Sequence, residues 1–189
     1  MSEYRIAPLD ESSWPAFADL VERHNGVWGG CWCMGFHPEG VGKGHTPEGN
    51  RAAKQERVLA GAAHAALVLE GTSCLGWCQF GSPAELPRVK SRRKYEAGLV
   101  DLPDWRITCF FVDRKRRRQG VAAAALEGAL ELIAAAGGGS VEGYPEETEG
   151  FTTQGSFLHT GTVGMFLDAG FVKQRQIAPR RWVMSRVVS

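Results

Sequence analysis

The block WRITCFFVDRKRRRQGVAAAALEGALELIAAAGGG, residues 105–139, constrains the chain more than any other stretch. Its opening residues are rich in β-branched and aromatic side chains and follow Pro103, which predicts a strand over 105–112. From Gln119 onward Val121, Leu126, Leu130 and Ile133 recur on one helical face, Glu127 and Glu131 fall outside it, and Gly137 to Gly139 supply the stop. A strand that runs through a tight glycine-bearing loop into a helix brings unpaired backbone N–H groups and the positive end of a helix dipole to one point. That point suits a phosphate, and Arg117 or Arg118 adds charge-assisted hydrogen bonds. No Lys-Ser or Lys-Thr pair follows a second glycine and no GxGxxG is present, so a nucleoside-triphosphate enzyme is disfavoured.

The basic run has a second reading, a nucleic-acid contact, but 22 basic against 21 acidic side chains leave a net charge of +1. Broad electrostatic capture of nucleic acid usually needs a strongly basic domain, so any positive site here is local and no nucleic-acid partner is expected. With 189 residues the chain predicts one domain over 1–189 with a single good core. No run approaches the roughly eighteen apolar residues that a membrane span needs. The opening MSEYRIAPLDES lacks a basic start followed by an apolar core, so no membrane partner and a cytoplasmic location are expected. The five cysteines, at 31, 33, 74, 78 and 109, read as reduced buried thiols. Neither Cys31-Trp32-Cys33 nor Cys74 to Cys78 has the paired spacing of a zinc site, and no metal is expected. Alternation would put Cys31 and Cys33 on one face of a strand, which leaves a role in lining a pocket open.

Around the central block, residues 4–9 predict a strand, and Phe17, Leu20 and Val21 mark a helix behind the cap-type residues Asp10 to Ser13. The glycine-rich 26–44 is too apolar for a free linker and is expected to pack, partly as a strand. Thr46 and Pro47 open a second helix. AALVLE (65–70) and CLGWCQF (74–80) predict an antiparallel hairpin, followed by a connection long enough to be functional or to hold a short helix. Its basic side chains, Arg88, Lys90, Arg92, Arg93 and Lys94, read as a solvated helical face, with an adenosine-phosphate contact as the alternative. SVEGYP returns as a strand; after an irregular acidic stretch, GTVGMFLDAGF predicts a short helix, and a last hairpin turns at Pro179.

Arg117-Arg118-Gln119-Gly120-Val121-Ala122 meets the acyl-CoA pattern of the GNAT N-acetyltransferase superfamily: Q or R, two residues, G, one residue, G or A. The strand before it, the helix after it, the short strand and the closing FLDAGF follow the family's order from residue 4 to 188, so the chain resembles a GNAT protein over nearly its whole length. CWCM and VEGYP look like marks of a subgroup. The resemblance implies an α/β (α+β) fold, a mixed central sheet of about six to seven strands flanked by helices and splayed between its two central strands. It further implies acetyl-CoA as cosubstrate, with the backbone of Phe110, Phe111 and Val112 on the pantetheine arm, residues Arg117 to Ala122 on the pyrophosphate, and Phe166 beside the cofactor. The expected reaction is direct attack of a primary amine, on a small molecule or a protein, upon the thioester; a homodimer is allowed.

In that family an unpaired amide of the splayed strand stabilises the oxyanion, which here falls to residues 109–112, and a tyrosine often serves as acid where this chain has Phe166. Alternation in SVEGYP puts Glu142 and Tyr144 on one strand face, so this pair is the candidate base and acid, with His159 as a substitute. The family's acceptor pocket implies Trp28, Trp32 or Phe36 against the substrate. Such aromatic walls beside Glu146, Glu147 and Glu149 would suit a cationic amine. A non-catalytic CoA-binding module on the same fold is the alternative, and Phe166 supports it.

Overall fold

The computed structural model describes residues 4–150 and 158–189; residues 151–157 of the acidic stretch lie outside the described part. Seven strands form one sheet in the order β1-β2-β3-β4-β5-β7-β6. They are β1 (Arg5–Pro8), β2 (His64–Glu70), β3 (Ser73–Gly81), β4 (Trp105–Val112), β5 (Gly139–Gly143), β6 (Val172–Ala178) and β7 (Arg181–Val188). All neighbours are antiparallel except β4 and β5, which run parallel and pair only through Trp105–Ile107 and Val141–Gly143. Beyond Ile107 the two central strands separate, so the expected splay is present.

Helices α1 (Trp14–Glu22) and α2 (Pro47–Leu59) cover one face, and α4 (Val121–Ala135) and α5 (Val163–Asp168) the other, while α3 (Arg92–Ala97) sits in the long connection beside β6. The face under α1 is aromatic: Trp14 stacks on Trp32 at 6.0 Å, and Phe17 tilts against Trp77 at 4.8 Å. On the α4 side, Val121, Ala125, Leu126, Leu130 and Ile133 are buried while Glu127 and Glu131 stay exposed, as the 3.6-residue period requires. Thr46 caps α2 by accepting from the Gly49 N–H, and Thr162 caps α5 by accepting from that of Met165.

One β-bulge decides which side chains of β4 face which layer. Gln79 pairs with Cys109 but Phe80 with Ile107, so Thr108 is the extra residue. Before it Trp105 and Ile107 share the α4 layer; after it Phe110 and Val112 do, and Cys109 and Phe111 turn to the α1 layer.

Residues 26–44 correct a sequence expectation. They hold turns and no strand, with left-handed backbone at Val27, Trp32 and Cys33 (φ 66°, 47° and 59°). The segment packs all the same, because its aromatic and sulfur side chains fill the space between α1, α2 and the sheet.

Candidate functional site

A cavity of about 450 Å³ opens where β4 runs into α4. Gly120 is the N-cap residue of α4 and sits at φ 78°, a conformation glycine adopts without strain. The first intrahelical bond is Ala124 N–H to the Gly120 carbonyl, no side chain caps the helix, and no acidic residue stands in its first turn. The Val121, Ala122 and Ala123 amides therefore have no helical partner, and these residues line the cavity with Arg116, Arg117 and Arg118. Arg118 is itself left-handed at φ 61°, so positive φ recurs at positions 118 and 120 and curls the loop around the same space.

The opposite wall comes from the splay. Phe110, Phe111 and Val112 line the cavity, as do Leu158, His159, Gly161, Thr162 and Met165 from the segment leading into α5. That segment wedges between the separated strands: the Phe110 N–H donates to the His159 carbonyl at 2.6 Å and the Glu146 N–H to the Gly161 carbonyl at 3.0 Å. The Phe110 amide, within the stretch expected to hold an oxyanion, is thus engaged. Because Asp113 N–H points back to the Leu75 carbonyl, alternation directs the Val112 N–H to the cavity side of the strand, like that of Phe110.

A second cavity, about 410 Å³, lies on the α1 side of the sheet. Trp28 and His159 belong to both linings, so the two spaces meet at these side chains. Trp28 stands edge-on to Phe111 at 5.9 Å, and its Nε1 is buried without a hydrogen-bond partner among the described residues. Phe36, Val41 and Val89 give the second cavity apolar walls, Cys31, Cys33 and Cys109 give it thiols, and its charged side chains are Arg88 and Lys90. Arg88 is anchored by two N–H bonds to the Pro38 carbonyl, at 3.1 and 3.2 Å. Burial, with Arg181 nearby, holds the Lys90 ammonium below its ordinary range.

Behind the thiols lies a buried polar cluster. Lys54, 1% exposed, places Nζ 3.0 Å from His37 Nε2 and 3.4 Å from Gln79 Oε1. The His37 Nδ1 faces the Glu85 carbonyl at 3.3 Å, so the ring accepts from Lys54 and donates from Nδ1. Burial and the neighbouring Lys54 charge push the His37 pKa down to about 2, and the ring is neutral. Cys33 Sγ touches Gln79 Oε1, and Cys109 stands in hydrogen-bonding range of Cys33. Burial acts to raise the Cys33 pKa, but the Cys109 hydrogen bond and the Lys54 charge outweigh it and the thiol is shifted down. Cys31 is pushed up to about 11 by burial and by the Cys33 charge.

Of the residues singled out in the sequence, Phe110, Phe111, Val112, Arg117, Arg118, Gly120, Val121 and Ala122 converge on the first cavity, and Trp28 and Phe36 on the second. Gln119 does not line either: its side chain turns back to the Lys115 carbonyl and its own carbonyl accepts from the Tyr4 hydroxyl. Trp32 is 3% exposed and stacked on Trp14, so it is core. Phe166 is fully buried between Phe110 and Phe171, and a Cβ on Gly143 would overlap its ring. In that apolar pocket a tyrosine hydroxyl would have to find a partner, which explains phenylalanine there.

Glu142 and Tyr144 do meet, with Tyr144 Oη donating to Glu142 Oε2 at 3.0 Å. They line neither cavity, however. Tyr95 donates to the same carboxylate oxygen at 2.8 Å, and Arg106 donates to the Tyr95 oxygen at 3.2 Å. Val89 packs in this cluster and also faces the second cavity, which sets the pair one layer behind the wall. Glu146 and Glu147 are neutralised by Arg181 and Lys173, and with Glu149 they stand outside the lining. The acidic surroundings expected for a cationic acceptor are therefore not at this wall.

His159, expected only as a substitute, lines both cavities, and two residues absent from the expected site join it, Arg116 and Lys54. Arg116 lines the first cavity while pairing with Glu70. Lys54 had no apolar signal to betray it, since the buried stripe of α2 is Asn50, Lys54 and Val58.

No family model and no curated protein matches the chain. Among solved structures it is similar to a GNAT-family acetyltransferase from Streptococcus pneumoniae, at 14% identity over 99% of this chain and 100% of that one, with a TM-score of 0.54. It is also similar to the ribosomal-protein-S18-alanine N-acetyltransferase from Escherichia coli (11%, 99% and 95%, TM-score 0.52). A third likeness is to a CoA-dependent acyl-homoserine lactone synthase, BjaI (16%, 99% and 84%, TM-score 0.60). At these identities the likeness establishes architecture: the chain has the GNAT acetyltransferase fold.

Proposed function

We propose that the protein is an acyltransferase that moves an acetyl group from acetyl-CoA to a primary amine seated in the second cavity. The observation that carries this reading is the meeting of two unlike cavities at Trp28 and His159, beside the open edge of β4. The first fits the cofactor by its chemistry, having uncapped helix amides and arginines for phosphates and, past the engaged Phe110 amide, the Val112 N–H on the cavity side of β4 for an amide-bearing arm. Acetyl-CoA supplies an activated carbonyl with a thiolate leaving group. The chain's own residues hold and orient it: Arg117, Arg118 and the amides of Val121 to Ala123 take the pyrophosphate, and Val112 the pantetheine or the developing oxyanion.

The acceptor must arrive as a neutral amine, and His159, the titratable side chain common to both linings, is the group we place at its proton. Trp28 Nε1, buried and without a partner among the described residues, offers a donor at the same junction. The charged rim of the second cavity is cationic, Arg88 and Lys90, so the favoured acceptor is an amine on a molecule that also carries an anionic group. The direct test is a panel of amines with and without carboxylates, read by CoA-thiol release. Faster release with carboxylate-bearing amines is expected, and equal or slower release would overturn the assignment of the acceptor.

A non-catalytic CoA-binding module is the second reading, favoured by Phe166 and by the engaged Phe110 amide. Tight acetyl-CoA binding without thiol release across the panel would select it.

A further inference from the structure

The thiol cluster of the second cavity carries an inference that stands apart from acyl transfer. Cys33 and Cys109 come from distant parts of the chain, a left-handed turn and the bulged strand β4, yet their sulfur atoms lie in hydrogen-bonding range. Both line a cavity, so a small solute reaches them although each is less than 5% exposed. The surroundings differ from those of an inert buried thiol. Lys54 is fully buried, and its amine shares the Gln79 side chain with Cys33. Gln79 is itself buried, its Oε1 accepts from both the Cys33 thiol and Lys54, and its Nε2 has no hydrogen-bond partner among the described residues. The Cys109 thiol and, across the Gln79 amide, the Lys54 amine therefore flank the Cys33 sulfur, a donor and a cation of the kind that hold a thiolate. Cys74 and Cys78 serve as internal controls: burial raises both, Cys74 to about 12, and no cation sits against Cys78.

We propose that Cys33 is a peroxide-reactive thiolate that closes a reversible disulfide with Cys109 across the wall of the second cavity. The Cys33 sulfur attacks one oxygen of hydrogen peroxide, the O–O bond breaks, and the hydroxide released takes a proton to become water, leaving a sulfenic acid. The Cys109 sulfur then attacks the Cys33 sulfur, the S–O bond breaks, and the departing hydroxide takes the Cys109 proton as a second water. Two thiols are oxidised by two electrons and one peroxide is reduced to two waters. Lys54 acts as a positioning residue that holds the charge on sulfur, and Cys31 is a bystander.

The experiment treats the full chain with hydrogen peroxide, alkylates the remaining thiols under denaturing conditions and maps the peptides by mass spectrometry, with fragmentation to separate Cys31 from Cys33. The expected result is a linked Cys33–Cys109 pair formed at least about tenfold faster than any oxidation of Cys74 or Cys78, and reversed by dithiothreitol. In Cys109→Ala, dimedone should label Cys33 instead. In Lys54→Met, whose fold is checked by circular dichroism, the rate should fall several-fold. A Cys31–Cys33 link, oxidation of Cys33 no faster than of Cys78, or a link that forms equally fast in Lys54→Met would each overturn the proposal. The readout is a mass, so it is independent of whether the chain transfers acyl groups.

Discussion

The two cavities share Trp28 and His159 but are built by opposite means. The first is made of backbone: a helix start, a strand edge and a loop whose left-handed positions are Arg118 and Gly120. The second is made of side chains, supplied by an irregular segment and by a strand whose alternation is reset by one bulge. A backbone site tolerates changes of side chain but not of conformation or charge at its centre, whereas a side-chain site depends on each wall residue. That contrast is open to experiment.

Gly120→Glu should break the first cavity with the largest effect. The added Cβ meets nothing within 4 Å, so the fold survives, although a non-glycine residue at φ 78° costs about 1 kcal/mol. Its carboxylate faces the anion site, and the acetyl-CoA Kd should rise at least about 100-fold in calorimetry, about 3 kcal/mol. If binding survives, the backbone site is misassigned.

His159→Ala probes the junction. Turnover should fall about 100-fold with acetyl-CoA affinity within about threefold, because the imidazole is asked to move a proton rather than to hold phosphate. Equal loss in binding and turnover would make it a wall residue only. Arg117→Ala should weaken acetyl-CoA about tenfold and flatten the salt dependence of binding, in keeping with one charge-assisted contact.

Glu142→Gln with Tyr144→Phe tests the layer behind the second cavity. The hydrogen bonds from Tyr95 and Tyr144 to the carboxylate argue for a loss of about 1–3 kcal/mol in stability, with turnover changed less than about threefold. A large fall in turnover at unchanged stability would restore the pair as acid and base.

The smallest effect lies at the start of β2. The Glu85 hydrogen bond, opposed by burial, raises the His64 pKa above 6.5, so the stability gained is fully present below pH 6.5 and is lost as pH rises through the raised value. With the imidazole 43% exposed, solvent screening limits the gain to below about 0.5 kcal/mol. Glu85→Gln should therefore lower Tm slightly at pH 6 and leave no such difference at pH 9.

Where the chain is periodic, the reading from sequence matched the structure. The strand at 105–112, the apolar stripe of α4 and the hairpins appear within a residue or two of their expected limits, because repeating burial on one face writes itself into residue order. The segment 26–44 defeated it. Left-handed backbone at Trp32 and Cys33 is dictated by packing against Trp14 and β3, not by the residues' own preferences, so alternation there had no meaning. The same holds for Glu142 and Tyr144: their shared face was legible, but which cavity that face meets depends on Val89 and Tyr95, far away in the chain.

Residue order alone determined the strand, the basic turn, Gly120 and the helix behind them, since each rests on contacts between near neighbours and on backbone preference. Only the tertiary structure decided that Thr108 is a bulge, that His159 wedges into the splay, and that Lys54, Gln79, Cys33 and Cys109 share one buried cluster. Those placements balance burial and charge among residues 25 to 76 positions apart in the chain, and no local pattern records that balance.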